Sequence, residues 1–196
     1  MKSQGLTVRA ANEGDATAVA ATYAPYVWGT PVSFEVEAPT DVMMAQRIGT
    51  TLTTHPWLVA ELNGAVVGFA CAGKHSPRAA YRWTVDVTVY VSMREQRSGV
   101  GRSLYRVLLE TLRRQGFRSA FAEIVLPNPG SIRLHEAMGF QHIGIHKDIG
   151  SKLAKWRDIG YWRLGLADGI EAPQEPIPFI SFQNAPAFVE LLALAG

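Results

Sequence analysis

The stretch "EQRSGVGRSLYR", Glu95 to Arg106, sets two glycines two residues apart among arginines, immediately ahead of an amphipathic run. Glycine lets a backbone come close to a ligand and adopt positive φ, so successive N–H groups converge on one point. A helix starting there adds a dipole that favours an anion. Gln96, Arg97, Ser98, Gly99, Val100, Gly101, Arg102 and Ser103 are therefore candidate ligands for a phosphate group, with Arg97 and Arg102 flanking it. A P-loop would need Gly-x-x-x-x-Gly-Lys-Ser/Thr, which is absent, and a dinucleotide fingerprint would need a third glycine where Leu104 stands. An ordinary strand-to-helix turn with surface arginines remains the alternative for this loop taken alone. Two further groups can move protons. Asp86 lies in "WTVDVTVYVS" and His135 in "LHEAMG". Each also has a plain reading, as a structural aspartate bonded to nearby backbone and as a half-buried helix residue beside Leu134 and Met138. Lys74, His75, His142 and His146 receive no role, and no His, Cys or carboxylate spacing suggests a metal site.

These groups need elements to hold them. "LTVRAA" alternates as a strand, and "EGDATAVAATYAPYV" follows at helical spacing with an acidic start. "TPVSFEVEAPT" is irregular because of its prolines, and "DVMMAQRIGTTL" is a helix capped by Thr40. Asn63-Gly64 joins "PWLVAEL" to "AVVGFACAG" as a hairpin with a type I′ turn. The Asp86 strand puts Val85, Val87, Val89 and Val91 on one face and Thr84, Asp86, Thr88 and Tyr90 on the other. "VGRSLYRVLLETLRRQ" gathers Val100, Leu104, Val107, Leu108 and Leu112 on one helical face, and Gly116 ends it. A strand ("FRSAFAEIVL"), a short helix ("PNPGSIRLHEAMG") and two strands ("FQHIGIHKDIG", "KWRDIGYWRLGL") follow. The order β-α-α-β-β-β-α-β-α-β-β implies an α+β fold with a central mixed β-sheet and helices on both faces. Residues 1–166 read as one domain. Residues 167–196 read as a proline-rich C-terminal tail, with a possible short helix in "APAFVELLALAG".

The 196 residues are 47% hydrophobic, enough for one buried core, and the net charge of +2 with 18% charged residues argues against a nucleic-acid partner. Cys71 is the single cysteine, so no internal disulfide forms, and its apolar surroundings suggest a buried thiol in a reducing compartment. The N-terminus has no apolar h-region and no segment approaches a membrane span. The expectation is a soluble, cytoplasmic protein with no membrane partner.

The glycine loop after a valine-rich strand resembles motif A of the GNAT N-acetyltransferases, and "LHEAMGF" resembles that family's second signature. "SFEVEAP", "HPWLVAELNG", "RAAYRWTVDVTVYVS", "QRSGVG", "LPNPGSIRLHEAMGF" and "KWRDIGYW" are similar, in order, to phosphinothricin and methionine sulfoximine/sulfone N-acetyltransferases across residues 6–166. The resemblance implies the GNAT fold, acetyl-CoA as co-substrate and no metal. It also implies direct attack by the amine of a small amino-acid-like substrate in a ternary complex. The loop would then hold the coenzyme pyrophosphate. Backbone N–H groups at Val89, Tyr90 and Val91 would polarise the acetyl carbonyl, and Asn128 and Ser131 would contact the coenzyme. Asp86 stands where relatives carry a glutamate base, and His135 where many carry a tyrosine acid. Phe34, Glu37, Arg78 and Tyr81 would form the substrate pocket, Arg78 offering a planar fork to a carboxylate or phosphinate. The aromatic block with Trp156, Tyr161 and Trp162 reads as core, in a part of the fold that supports a homodimer in relatives. A different amine, on a protein N-terminus or a drug, and a non-catalytic acetyl-CoA sensor are the alternative functions.

Overall fold

The computed structural model describes residues 5–167 and 174–195, so the start of the N-terminal segment and residues 168–173 of the expected proline-rich tail lie outside the described residues. Seven strands form one sheet: β1 (Leu6–Ala10), β2 (Trp57–Leu62), β3 (Ala65–Lys74), β4 (Thr84–Val91), β5 (Ser119–Val125), β6 (Gln141–Lys152) and β7 (Lys155–Gly165). Their order is β1-β2-β3-β4-β5-β7-β6. Every neighbouring pair is antiparallel except β4 and β5, which are parallel. Parallel neighbours need a crossover, and α3 (Val100–Gln115) supplies it. The chain belongs to the α+β class expected from its pattern.

Helices cover both faces. On one, α3 presents Val100, Leu104, Val107, Leu108 and Leu112, all at most 1% exposed, to Val85 and Val87 of β4. Gly116 closes this helix at φ 94°, where a side chain is disfavoured. On the other, α1 (Ala16–Gly29) and α2 (Asp41–Leu52) build a second core with Trp57, Val59 and Phe69, and Tyr90 packs into it. Thr40 caps α2 by accepting from the Met43 N–H at 3.2 Å. Asn63 and Gly64 take φ 52° and 81° in the tight turn between β2 and β3. Trp162 is buried as expected, but Trp156 is not: at 67% exposed it lies near the outer end of the β6–β7 hairpin, beyond the reach of either core.

The tail adds α5 (Phe179–Phe182) and α6 (Pro186–Leu192). Phe179, Phe182, Phe188 and Leu191 are buried in the same core as α3. The segment is stitched along α3 from end to end. Gln115 Nε2 donates to Ile177 O at 2.7 Å, and Ser103 Oγ donates to Ala195 O at 2.9 Å.

Candidate active site

β4 and β5 part company in the middle of the sheet. Their pairing runs through Thr84–Ser119, Val85–Ala120 and Asp86–Phe121 and stops there, although β4 continues to Val91 and β5 to Val125. The wedge begins at Asp86 and opens toward α3 and α4 (Pro129–Ala137). Val89, Tyr90 and Val91 line its β4 edge with main chain. The Tyr90 side chain leaves the wedge to pack against Tyr23 and Tyr26. Tyr26, which no sequence pattern singles out, fixes the end of this edge by donating to Val91 O at 2.5 Å. Gln96 Nε2 donates in turn to Tyr26 Oη at 2.9 Å, which roots the loop.

The loop itself has the geometry of an anion cradle. Arg97 takes φ 64° and Gly99 φ 95°, so the backbone reverses twice before α3 begins. No side chain caps α3, which leaves the N–H groups of its first turn directed at the wedge mouth. Gly101 serves differently from Gly99. Its backbone is not left-handed, and a Cβ there would lie 3.2 Å from Leu134 Cδ2, so it sets the spacing between α3 and α4. Arg97 and Arg102 are exposed beside the cradle. Ser98 Oγ donates to Glu95 O at 2.6 Å, and Ser103 gives its N–H to Gly99 O and its hydroxyl to the tail. Ser98 thus shapes the loop with its hydroxyl, while that of Ser103 holds the tail.

On α4, Asn128 caps the helix by accepting from the Ser131 N–H at 3.1 Å. His135 is 3% exposed, and both its nitrogens are engaged. Nδ1–H donates to Ser131 O at 2.8 Å, which leaves Nε2 to accept from Tyr105 Oη at 2.8 Å. Burial lowers its pKa, with the Ser131 contact opposing. The ring packs edge-on to Tyr105 and Phe140, on the α3 side of the sheet. Asp86 is directed to the opposite face, so the two proton-carrying candidates are not brought together.

Asp86 has another partner. His75 Nδ1 lies 2.7 Å from Asp86 Oδ1. The sequence assigned His75 no role, and its neighbour follows from register: Gly73 stands opposite Asp86, which carries His75 onto the same face two residues later. Its ring stacks on Phe121 at 4.7 Å and meets Tyr81 at 5.8 Å. Burial raises the Asp86 pKa, and the His75 contact partly offsets that rise. Glu123 of β5 is likewise raised, by burial and then by Asp86. Of the four substrate candidates, Tyr81 is thus beside the pair. Arg78 and Tyr81 also line a cavity of about 200 Å³ with His55, Lys74 and Arg82. Phe34 sits at the hairpin tip, where a Cβ on Gly150 would fall 2.3 Å from its ring, and Glu37 is exposed. Cys71 packs against the second core, and burial pushes its thiol up to about 12, so it is inert as a nucleophile at neutral pH.

Comparison with known proteins agrees with this architecture. Residues 8–160 match the acetyltransferase (GNAT) domain family. The chain is 40% identical to the phosphinothricin N-acetyltransferase of Streptomyces viridochromogenes, over 88% of this chain and 93% of that protein. It is 33% identical to the L-methionine sulfoximine/L-methionine sulfone acetyltransferase of Salmonella typhimurium, over 82% of this chain and 95% of that one. The crystal structure of a phosphinothricin acetyltransferase from Sinorhizobium meliloti in complex with AcCoA superposes with a TM-score of 0.84 at 30% identity, covering 93% of this chain and 100% of that one. With the parted strands, the uncapped α3 and this likeness over most of its length, the chain belongs to the GNAT acetyltransferase family.

Proposed function

We propose that the chain transfers acetyl from acetyl-CoA to the amino group of a small, acidic, amino-acid-like substrate such as phosphinothricin or methionine sulfoximine or sulfone. The observation that carries this reading is the wedge that opens at Asp86 beneath an uncapped, left-handed glycine turn. Acetyl-CoA supplies the activated acyl group. The loop from Gln96 to Ser103 holds its phosphates, mainly through the main chain of Gly99 to Arg102, with Arg97 and Arg102 screening the charge. Main-chain N–H groups along Val89–Val91 stabilise charge on the acetyl oxygen, and Asn128 and Ser131 line the passage at the start of α4. Tyr81 stands beside His75 and Asp86, and in this reading Arg78, three residues before it, reads the substrate's acidic group, while Phe34 and Glu37 are contributed from the loop ahead of α2. The proton of the substrate ammonium leaves on the Asp86 side. His135, enclosed against Tyr105, holds α4 to α3 as the wall of the wedge.

The chain also forms a homodimer in this reading. β6 is a sheet edge that exposes Ile143, Ile145 and Ile149, and Leu153 and Trp156 lie exposed beside it. Lys152 Nζ donates to Ser33 O and Glu35 O, tying this apolar surface to the loop that carries Phe34. A cytoplasmic setting suits the single thiol, and among the described residues no helix is long and apolar enough to cross a membrane.

The test is amine-dependent release of CoA, measured across a panel of phosphinothricin, methionine sulfone, ordinary amino acids, an N-terminal peptide and an aminoglycoside. Release with the first two and little with the last two is the expected result. Binding of acetyl-CoA with no amine-dependent release would mark a sensor instead.

A further inference from the structure

We propose that His75 is the proton acceptor of the reaction and that Asp86 is the group that positions it; this rests on the acetyltransferase reading above. Four observations carry it. First, the Nδ1–Oδ1 separation of 2.7 Å is a full hydrogen bond, and with Asp86 ionised the hydrogen must sit on Nδ1. Nε2 is then the lone-pair nitrogen. It makes no hydrogen bond among the described residues. Second, the ring is held in place: Phe121 stacks on it with 24° between the planes, and Tyr81 approaches from the side. Third, Gly73 stands directly across from Asp86, and a Cβ there would meet nothing within 4 Å, so the space beside the carboxylate is open. Fourth, the site lies where β4 and β5 part, with the His75 side chain 27% exposed. An aspartate here is short, and it is already engaged. The imidazole carries the basic atom one ring-width further out.

Charged and titratable groups face His75 from several strands. Asp86 faces it from β4 and Glu123 from β5, with Tyr161 of β7 and His146 of β6 beyond Glu123. Lys74, adjacent in β3, opposes them, but its side chain belongs to the other face of the strand, where it lines the cavity with Arg78 and Arg82. In the step, an N–H bond of the substrate ammonium breaks and its proton moves to Nε2. The electron pair stays on nitrogen and forms the C–N bond to the thioester carbonyl. The C–S bond breaks, and the thiolate takes the second proton that the nitrogen sheds. The imidazolium, paired with Asp86, returns its proton to water.

His75→Gln separates the two candidate bases, because a carboxamide still donates to Asp86 but has no basicity. The variant is expected to lose about two to four orders of magnitude in kcat/KM at pH 7 with phosphinothricin or methionine sulfone. The loss should shrink as pH approaches that of the free amine, and the acid limb of the pH profile should move. His75→Asn should behave in the same way. Activity within about threefold of the unaltered chain and an unmoved acid limb, in either folded variant, would make Asp86 itself the base and overturn the proposal. The ¹⁵N shifts of the His75 ring in the unliganded protein test the pair without any turnover. An Nδ1–H tautomer is expected for the neutral ring, and an Nε2–H tautomer overturns the assignment. If the unaltered chain releases no CoA with any amine, the acetyltransferase reading fails and the catalytic role with it, while the ring shifts still report whether the pair exists.

Discussion

Histidines in this chain differ mainly in what surrounds them. His55 is 7% exposed, stacked on Phe117, and its pKa falls to about 4 through burial and then Lys74. His135 is shifted in the same direction by burial. A base whose folded pKa is depressed binds its proton more readily in the unfolded chain. Its contribution is therefore intact above the unfolded value near 6.5 and is lost as pH falls toward the folded one. Urea midpoints should drop between pH 6.5 and 4, with His55 alone accounting for on the order of 2 kcal/mol at pH 4.5. Asp86, raised by burial, has the opposite sign and partly offsets the loss. His55→Gln should flatten the dependence, and an unchanged slope in that variant would show that His55 is not the group being charged. None of this was legible at the level of residue type. The five histidines look alike in sequence. His75 became distinct only through strand register, because eight residues separate it from the start of β4 and their turn geometry decides which face it joins.

Elements were far easier to read than partners. Each long periodic segment is where the pattern places it, since the 3.6-residue spacing of α3 and the Asn63-Gly64 turn are local properties. The parting of β4 from β5 is not local. It depends on how far two strands separated by a whole helix remain in register, and no composition records that. The glycine loop lies between these cases. Its two glycines look equivalent in sequence but answer to different constraints. Gly99→Val forces a β-branched residue to φ 95°, costing on the order of 1–2 kcal/mol, and re-aims the N–H groups of the first turn. Acetyl-CoA affinity should fall by about tenfold or more, measured by calorimetric titration. Gly101→Ala meets the movable end of the Leu134 side chain at 3.2 Å and Val91 and Val89 at ordinary contact distance, and should change affinity by less than about threefold. Equal effects of the two would mean that the loop acts through α3–α4 spacing rather than through its backbone donors.

At the scale of the molecule, the tail and the outer hairpin show opposite uses of apolar residues. Of the tail's phenylalanines only Phe188 fell in the short helix expected of residues 185–196, and α5 with Phe179 and Phe182 was not foreseen, because nothing in residues 179–191 states which surface they meet; they close over α3. The outer strand of the hairpin and its tip keep Ile143, Ile145, Ile149, Leu153 and Trp156 outside. Two register shifts in β6, at His142/Gly144 and His146/Gly150, interrupt the edge that a continuous intermolecular sheet would need. In the proposed dimer a second copy would therefore be held by side chains, with Trp156, Ile149 and Leu153 as the anchors. Aromatic anchors at the centre of such a patch carry a disproportionate share of binding. Trp156→Glu, which alters no buried contact within the chain at 67% exposure, should raise the dimer dissociation constant by about a hundredfold and leave the thermal midpoint of the dilute protein nearly unchanged. Sedimentation equilibrium at several concentrations reads the first, and circular dichroism at low concentration the second. Because Lys152 and Phe34 tie this hairpin to the loop around the proposed substrate pocket, the monomeric variant should also show a raised KM for the amine with little change for acetyl-CoA. A Trp156→Glu protein that sediments as the unaltered chain does would place the second copy elsewhere, or nowhere.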